Sequence, residues 1–153
     1  MSLNILRVYV ENSVIGGYFD VEFKEPTRKL FELFRSGVYK PVISSHVIDE
    51  LEDGAPDMVK DILQTIDCEI QEITEEMNRL AEKYLEYNIV SENFRSDALH
   101  IAIATVLNLN VLVSWNFKHI VNLRRIKMFN AVNLMEGYNT LEIRTPMEVI
   151  ENE

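Results

Sequence analysis

The sequence predicts an α/β fold, a three-layer α/β/α sandwich with a central parallel sheet. Three observations carry that reading. Short apolar runs such as VYV at 8–10 and VLV at 111–113 lack the polar alternation of a half-solvated strand. These runs alternate with segments of helical spacing, as βαβ units do. The segment SDALHIAIATV at 96–106 is apolar on most sides, which suits a helix at the centre of the structure.

In chain order, residues 5–10 form the first strand, with Val8, Tyr9 and Val10 favouring extended backbone and Glu11 ending the run. Pro26-Thr27 opens a helix in which Leu30, Leu33 and Phe34 share a face, closed near Gly37. Residues 40–44 give a second strand, and Ser44 or Ser45 caps a helix beginning near His46. A helix over 57–66 and a short strand over 68–73 follow. Thr74 with Glu75 and Glu76 is a helix start, because the hydroxyl caps free amides and carboxylates favour the positive helix end. Met77, Leu80, Ala81, Tyr84 and Leu85 then fall on one stripe. Ser96 precedes the apolar helix, whose stripe is Leu99, Ala102, Ile103 and Val106. The run at 111–114 is a buried strand, followed by a helix from about Lys118 and a short strand near 131–134.

The chain has 153 residues, the size of one compact domain spanning 1–153, with no repeat, linker or low-complexity run. No apolar stretch is long enough to span a bilayer, so no membrane partner is expected. MSLNILRVYV runs directly into a strand pattern without a signal-peptide layout, and a cytoplasmic location is expected. Cys68 is the sole cysteine, which excludes an internal disulfide and a cysteine-based zinc site. A net charge of −10 argues against an anionic partner, but the charge is unevenly spread. From Asp49 to Glu92 there are fourteen acidic residues against three basic ones. Between Asp97 and Glu136 there is no acidic residue, and Lys118, Arg124, Arg125 and Lys127 all lie there. Solvated helix faces account for this as well as a basic rim does.

Ligands of open parallel sheets bind outside the carboxyl ends of the strands, and that rule selects four positions. Glu11 follows the first strand, where a carboxylate needs a partner, solvent or a cation. In ISSHVIDELED, Val47, Ile48 and Leu51 face the core, leaving Glu50 and Glu52 on its flanks and Asp49 and Asp53 outward. Periodicity does not choose between Glu50 and Glu52. Asp97 lies in the first turn of the most apolar helix, with His100 placed to bond it or to line the same cleft. A packed role suits His100 better than metal ligation, because no second histidine stands at ligand spacing from it. Asn116, in VLVSWNFKH, caps a helix or supplies an amide oxygen. Carboxylates and an amide oxygen gathered at one edge suit Mg²⁺ or Mn²⁺.

VYVENSVIGGYFD, ISSHVIDEL, SDALHIAIA and LVSWNFKHI, in this order, resemble the PIN domain of toxin-type ribonucleases, the virulence-associated protein C type, and the likeness extends to the closing RTPMEVI. The resemblance implies acidic residues at the carboxyl edge of the sheet that hold Mg²⁺ or Mn²⁺ and cleave RNA. It also implies an antitoxin protein as partner and a homodimer. Motif by motif it assigns Glu11 and its small polar neighbour Ser13, Glu50 rather than Glu52, Asp97, and Asn116 at the last strand end. Two departures follow: Glu11 is one methylene longer than the family's aspartate, and Asn116 lacks the charge of the family's acid. Lys118, Arg124 and Arg125 would hold flanking phosphates. The competing reading is a weak or inactive PIN-like module that binds RNA or a protein. A phosphate-accepting receiver domain fits less well, since the acidic pair near the first strand and the lysine at the last strand end are missing.

Overall fold

The computed structural model describes residues 5–151. Five strands form one all-parallel sheet in the order β3-β2-β1-β4-β5, where β1 is Leu6–Val10, β2 Tyr39–Ser44, β3 Glu69–Gln71, β4 Val111–Val113 and β5 Glu142–Arg144. The chain builds outward from β1 to β2 and β3, then returns to the other side of β1 for β4 and β5. That reversal opens a crevice between the carboxyl ends of β1 and β4, where Val10 is paired with Val113.

Helices α1 (Asn12–Gly17) and α2 (Lys24–Arg35) connect β1 to β2; α3 (Ser45–Glu52) and α4 (Asp57–Ile62) connect β2 to β3. Helices α5 (Glu75–Glu86) and α6 (Arg95–Val106) lie between β3 and β4, α7 (Leu123–Met135) between β4 and β5, and α8 (Pro146–Ile150) closes the chain. Helix α2 packs on α8 and β2, while α5 packs on α6 and α7, giving the sheet its two helical covers. Among the described residues, no helix is long and apolar enough to cross a membrane.

The expected pattern holds where packing and local chemistry agree. Val8, Tyr9, Val10, Leu112 and Val113 are fully buried, as strands covered on both faces require. Ala98, Ile101, Ala102, Ile103 and Ala104 of α6 are likewise removed from solvent, so this helix is central. Thr74 caps α5 through the Met77 amide, and Ser44, rather than Ser45, caps α3 through the Val47 amide. Helices α2, α5, α6 and α7 each stop at a left-handed residue, Gly37, Asn88, Asn108 and Gly137, and the amide of the residue after each stop folds back onto the last turn.

Three local expectations are corrected, and one helix has no sequence signal. The helix after β4 begins at Leu123, capped by Asn122, and not near Lys118. Residues 117–120 are instead a tight turn closed by the amides of Ile120 and Val121 on the Asn116 carbonyl. The segment 131–134 is not a strand but the end of α7, where Val132 and Asn133 are buried; the fifth strand lies at Glu142–Arg144. Ser96 does not cap α6, because the helix has already started at Arg95 and the hydroxyl turns toward α3. Helix α1, rich in β-branched residues and glycine, carries no helical signal, and burial of Val14, Ile15 and Gly17 holds it in place.

Candidate active site

Glu11 stands at the switch point, only 6% exposed, as the cap of α1. Its carboxylate accepts from the Ser13 amide (3.1 Å), the Ser13 hydroxyl (2.5 Å) and the Ser114 hydroxyl (2.6 Å). Ser114 follows β4 directly and is fully buried; its Oγ also accepts from the Asn116 amide at 2.9 Å. Ser13 Oγ accepts from the Trp115 amide at 2.8 Å, so two serines stitch the ends of β1 and β4 together around one carboxylate. This satisfies the pairing that a buried acid demands.

Asp97 comes to the same crevice from α6. Burial and the nearby Glu11 charge push its carboxyl above the ordinary aspartate range, opposed by His119, His100 and the Asn116 amide. His119 Nδ1 lies 3.2 Å from Asp97 Oδ2, and its ring packs on Phe94 with centroids 3.8 Å apart. Asn116 Oδ1 accepts from the Lys118 and His119 amides at 3.2 and 3.0 Å, so the amide oxygen closes the 117–120 turn and the nitrogen side faces Asp97. Asn116 therefore caps the 117–120 turn and not a helix, and the oxygen expected to serve a site is bonded to backbone amides.

Glu50 belongs to a neighbouring cluster. Its carboxylate accepts from the Ser96 hydroxyl (2.5 Å) and sits 2.8 Å from His100 Nε2 and 3.7 Å from His46 Nε2. Burial raises its pKa, but the His100 hydrogen bond and charge, Ser96 and His46 outweigh this and pull it down to about 2. His46 is itself lowered, by burial and then by His100. His100 Nδ1 is 2.7 Å from the Tyr9 hydroxyl, which is 2.9 Å from Ser44 Oγ, the cap of the helix that carries Glu50. Burial lifts the Tyr9 hydroxyl far above the usual tyrosine range, and both Glu11 and Glu50 add to the effect, so Tyr9 lies between the two groups. Glu52 is exposed.

Of the basic residues, Lys118 is exposed beside the site with its ammonium 6.0 Å from the centre of the Phe94 ring. Arg124 is exposed on the first turn of α7, and Arg125 Nε donates to the Ile89 carbonyl at 3.2 Å. Trp115 and Phe117, on either side of Asn116, join Phe23 along a groove of about 490 Å³; Phe23 stacks on Trp115 at 4.3 Å. His46, Ser114 and His119 escaped the sequence reading. His119 stands three residues after Asn116, the spacing of a side-chain-capped turn, which is the one local cue for it. For His46 the local cue is Glu50 one helical turn on, while its other neighbours, Ser96 and His100, are about fifty residues away in sequence.

No family model matches this chain, and no curated protein is similar to it in sequence. Its fold is similar to that of a chain in the crystal structure of VapBC2 from Rickettsia felis bound to a DNA fragment from their promoter. The TM-score is 0.58 over 92% of this chain and 98% of the other, at 18% sequence identity. The strand order, the acidic crevice at the switch point and this likeness agree with the motif order, and the chain has a PIN-like α/β/α fold.

Proposed function

We propose that this protein is a divalent-metal-dependent ribonuclease that acts as the toxin component of a toxin-antitoxin pair. One observation carries the reading: Glu11 and Asp97 converge from two elements on a buried crevice where the charge of one acid disfavours ionisation of the other. Such an all-oxygen pair suits a hard cation, which would relieve both desolvation and repulsion, so the residues fit Mg²⁺ or Mn²⁺. Glu11 and Asp97 would hold the ion, with Glu50 reaching it directly or through water and Asn116, its oxygen bonded to two backbone amides, orienting Asp97. A bound ion would supply Lewis acidity toward a phosphodiester and lower the pKa of a water.

The protein's own groups supply the rest. Ser13 and Ser114 fix the Glu11 rotamer through two hydroxyl hydrogen bonds. His119 sits 3.2 Å from Asp97, placed to take up or release a proton there. Lys118, Arg124 and Arg125 would hold flanking phosphates, offsetting the overall negative charge. The similar VapBC2 structure supports an antitoxin partner, and a homodimer accords with the motif resemblance.

A second reading, a PIN-like module with little activity, is favoured by one observation: the Asn116 oxygen is used up on two backbone amides. Incubation of pooled RNA with Mn²⁺ separates the two. Cleavage that disappears in Asp97→Asn supports the nuclease; no cleavage, or cleavage unchanged in that variant, overturns it.

A further inference from the structure

We propose that His46, Glu50 and His100 form a second metal site, a two-histidine, one-carboxylate centre for a borderline divalent ion of the Zn²⁺ class. It goes beyond the nuclease reading and stands whether or not RNA is cleaved. The two histidines come from different helices, with rings 4.8 Å apart; His100 Nε2 is 2.8 Å from Glu50 Oε1, and His46 Nε2, hydrogen-bonded to Ser96 Oγ at 2.7 Å, is 3.7 Å from the same oxygen. One donor atom from each of the three residues falls within 4.8 Å of the others. Ligands on a tetrahedral ion at the usual Zn–N and Zn–O lengths stand about 3.3 Å apart. Closing the gap would require the partly buried His46 ring to exchange its Ser96 hydrogen bond for the metal, while His100 is only 1% exposed.

The surroundings also suit ligation. A metal-bound histidine is oriented by a partner on its other ring nitrogen. His100 Nδ1 has one in the Tyr9 hydroxyl at 2.7 Å, and that hydroxyl continues to Ser44 at 2.9 Å. A tyrosine hydroxyl both donates and accepts, so the chain runs in either direction. With His100 Nε2 donating to Glu50, Nδ1 accepts from Tyr9. With Nε2 turned to a metal, Nδ1–H donates to Tyr9, whose proton moves to the Ser44 side. Ser96 Oγ holds Glu50 Oε2 at 2.5 Å and leaves Oε1 to the two rings. Two imidazoles favour Zn²⁺, Co²⁺ or Ni²⁺ over Mg²⁺, which prefers oxygen. Glu50 then stands between a nitrogen-rich ion and the oxygen-rich pair of Glu11 and Asp97.

The test is a titration of the full chain with Co²⁺, followed by visible absorption and by isothermal calorimetry, in wild type, His46→Gln and Asp97→Asn. Expected are imidazole-type ligand-field bands in wild type and Asp97→Asn, and at least tenfold weaker Co²⁺ binding in His46→Gln. Zn²⁺ should compete with the Co²⁺ and millimolar Mg²⁺ should not. Circular dichroism confirms folding, and if His46→Gln is unfolded, His46→Asn serves in its place. Equal Co²⁺ binding in wild type and both His46 variants, or a spectrum of oxygen donors alone, overturns the proposal and leaves a hydrogen-bonded cluster. Failure of the nuclease reading shows separately, as absent RNA cleavage with the Co²⁺ bands intact.

Discussion

The side-chain amide of Asn116 is held with its oxygen on the Lys118 and His119 amides and its nitrogen side toward the Asp97 carboxylate. Those two backbone donors require an acceptor and so set which way the amide faces. At the position where the motif resemblance leads one to expect an acid, this chain presents a neutral donor to a neighbouring carboxylate.

Replacing Asn116 with aspartate keeps the turn acceptor but sets a second carboxylate against Asp97. Metal-free Asn116→Asp should therefore lose stability, by about 1 kcal/mol for a like-charge contact of this kind. Mn²⁺ should raise its Tm more than it raises that of wild type, because the added charge strengthens an ion site and a ligand of the folded state stabilises it. Melting curves with and without Mn²⁺ check this; an equal Mn²⁺ increment in the two proteins would show that Asn116 is remote from any ion.

Asp97→Asn should act in the opposite sense. Burial and Glu11 raise the folded-state pKa of Asp97, so its ionised form costs stability at neutral pH and the cost disappears below the ordinary aspartate range. The metal-free variant should melt slightly above wild type at pH 7 and no higher at pH 3. Mn²⁺ should stabilise wild type and leave the variant unmoved. Differential scanning fluorimetry across pH gives both readouts.

Glu50 has the opposite sign to Asp97. Its folded-state pKa is depressed from 4.5 to about 2, so the stability it contributes is complete above the carboxylate range and fades as pH falls from there toward 2. Hydrogen bonds to a charged group are worth about 1.5–3 kcal/mol, and with a third of the Glu50 side chain exposed, Glu50→Gln should cost about 1 kcal/mol at pH 7. The difference from wild type should shrink below pH 4, as urea titrations at pH 7 and pH 3 would reveal.

Gly17 is a packing constraint on the site loop. A Cβ there would stand 2.9 Å from Trp115 Cδ1 and Nε1 and 3.1 Å from Thr27 Oγ1, which Trp115 Nε1 hydrogen-bonds. Gly17→Ala should cost about 1–3 kcal/mol as the ring is displaced. Trp115 is the sole tryptophan, so intrinsic fluorescence reports the displacement directly, and an unshifted emission with native stability would contradict it.

The placement of Glu11 and Asp97 was legible because each is a charge beside an apolar run. Glu11 ends a strand with no polar alternation, and Asp97 opens the most apolar helix, so local pattern alone sets them at one edge of a parallel sheet. Thr74 and Ser44 were legible as caps for the same reason, since a cap acts on amides two or three residues away. The segment at 131–134 misled because four residues hold too little of either period to tell strand from helix, and β5 and α1 are three and six residues long.

The sequence by itself determined the parallel sheet and its buried strands and placed Glu11 and Asn116 just after strand ends, because apolar periodicity and strand ends are properties of neighbouring residues. Tertiary structure alone decided the company those residues keep. It placed His119 rather than His100 against Asp97, and brought Ser96 and His100 of α6 to the His46–Glu50 pair of α3, about fifty residues away in sequence. It also decided that the free end of the Asn116 amide meets Asp97, nineteen residues earlier in the chain, once the local turn had fixed the oxygen. An imidazole or an amide can donate or accept, and only the groups packed around it set which it does.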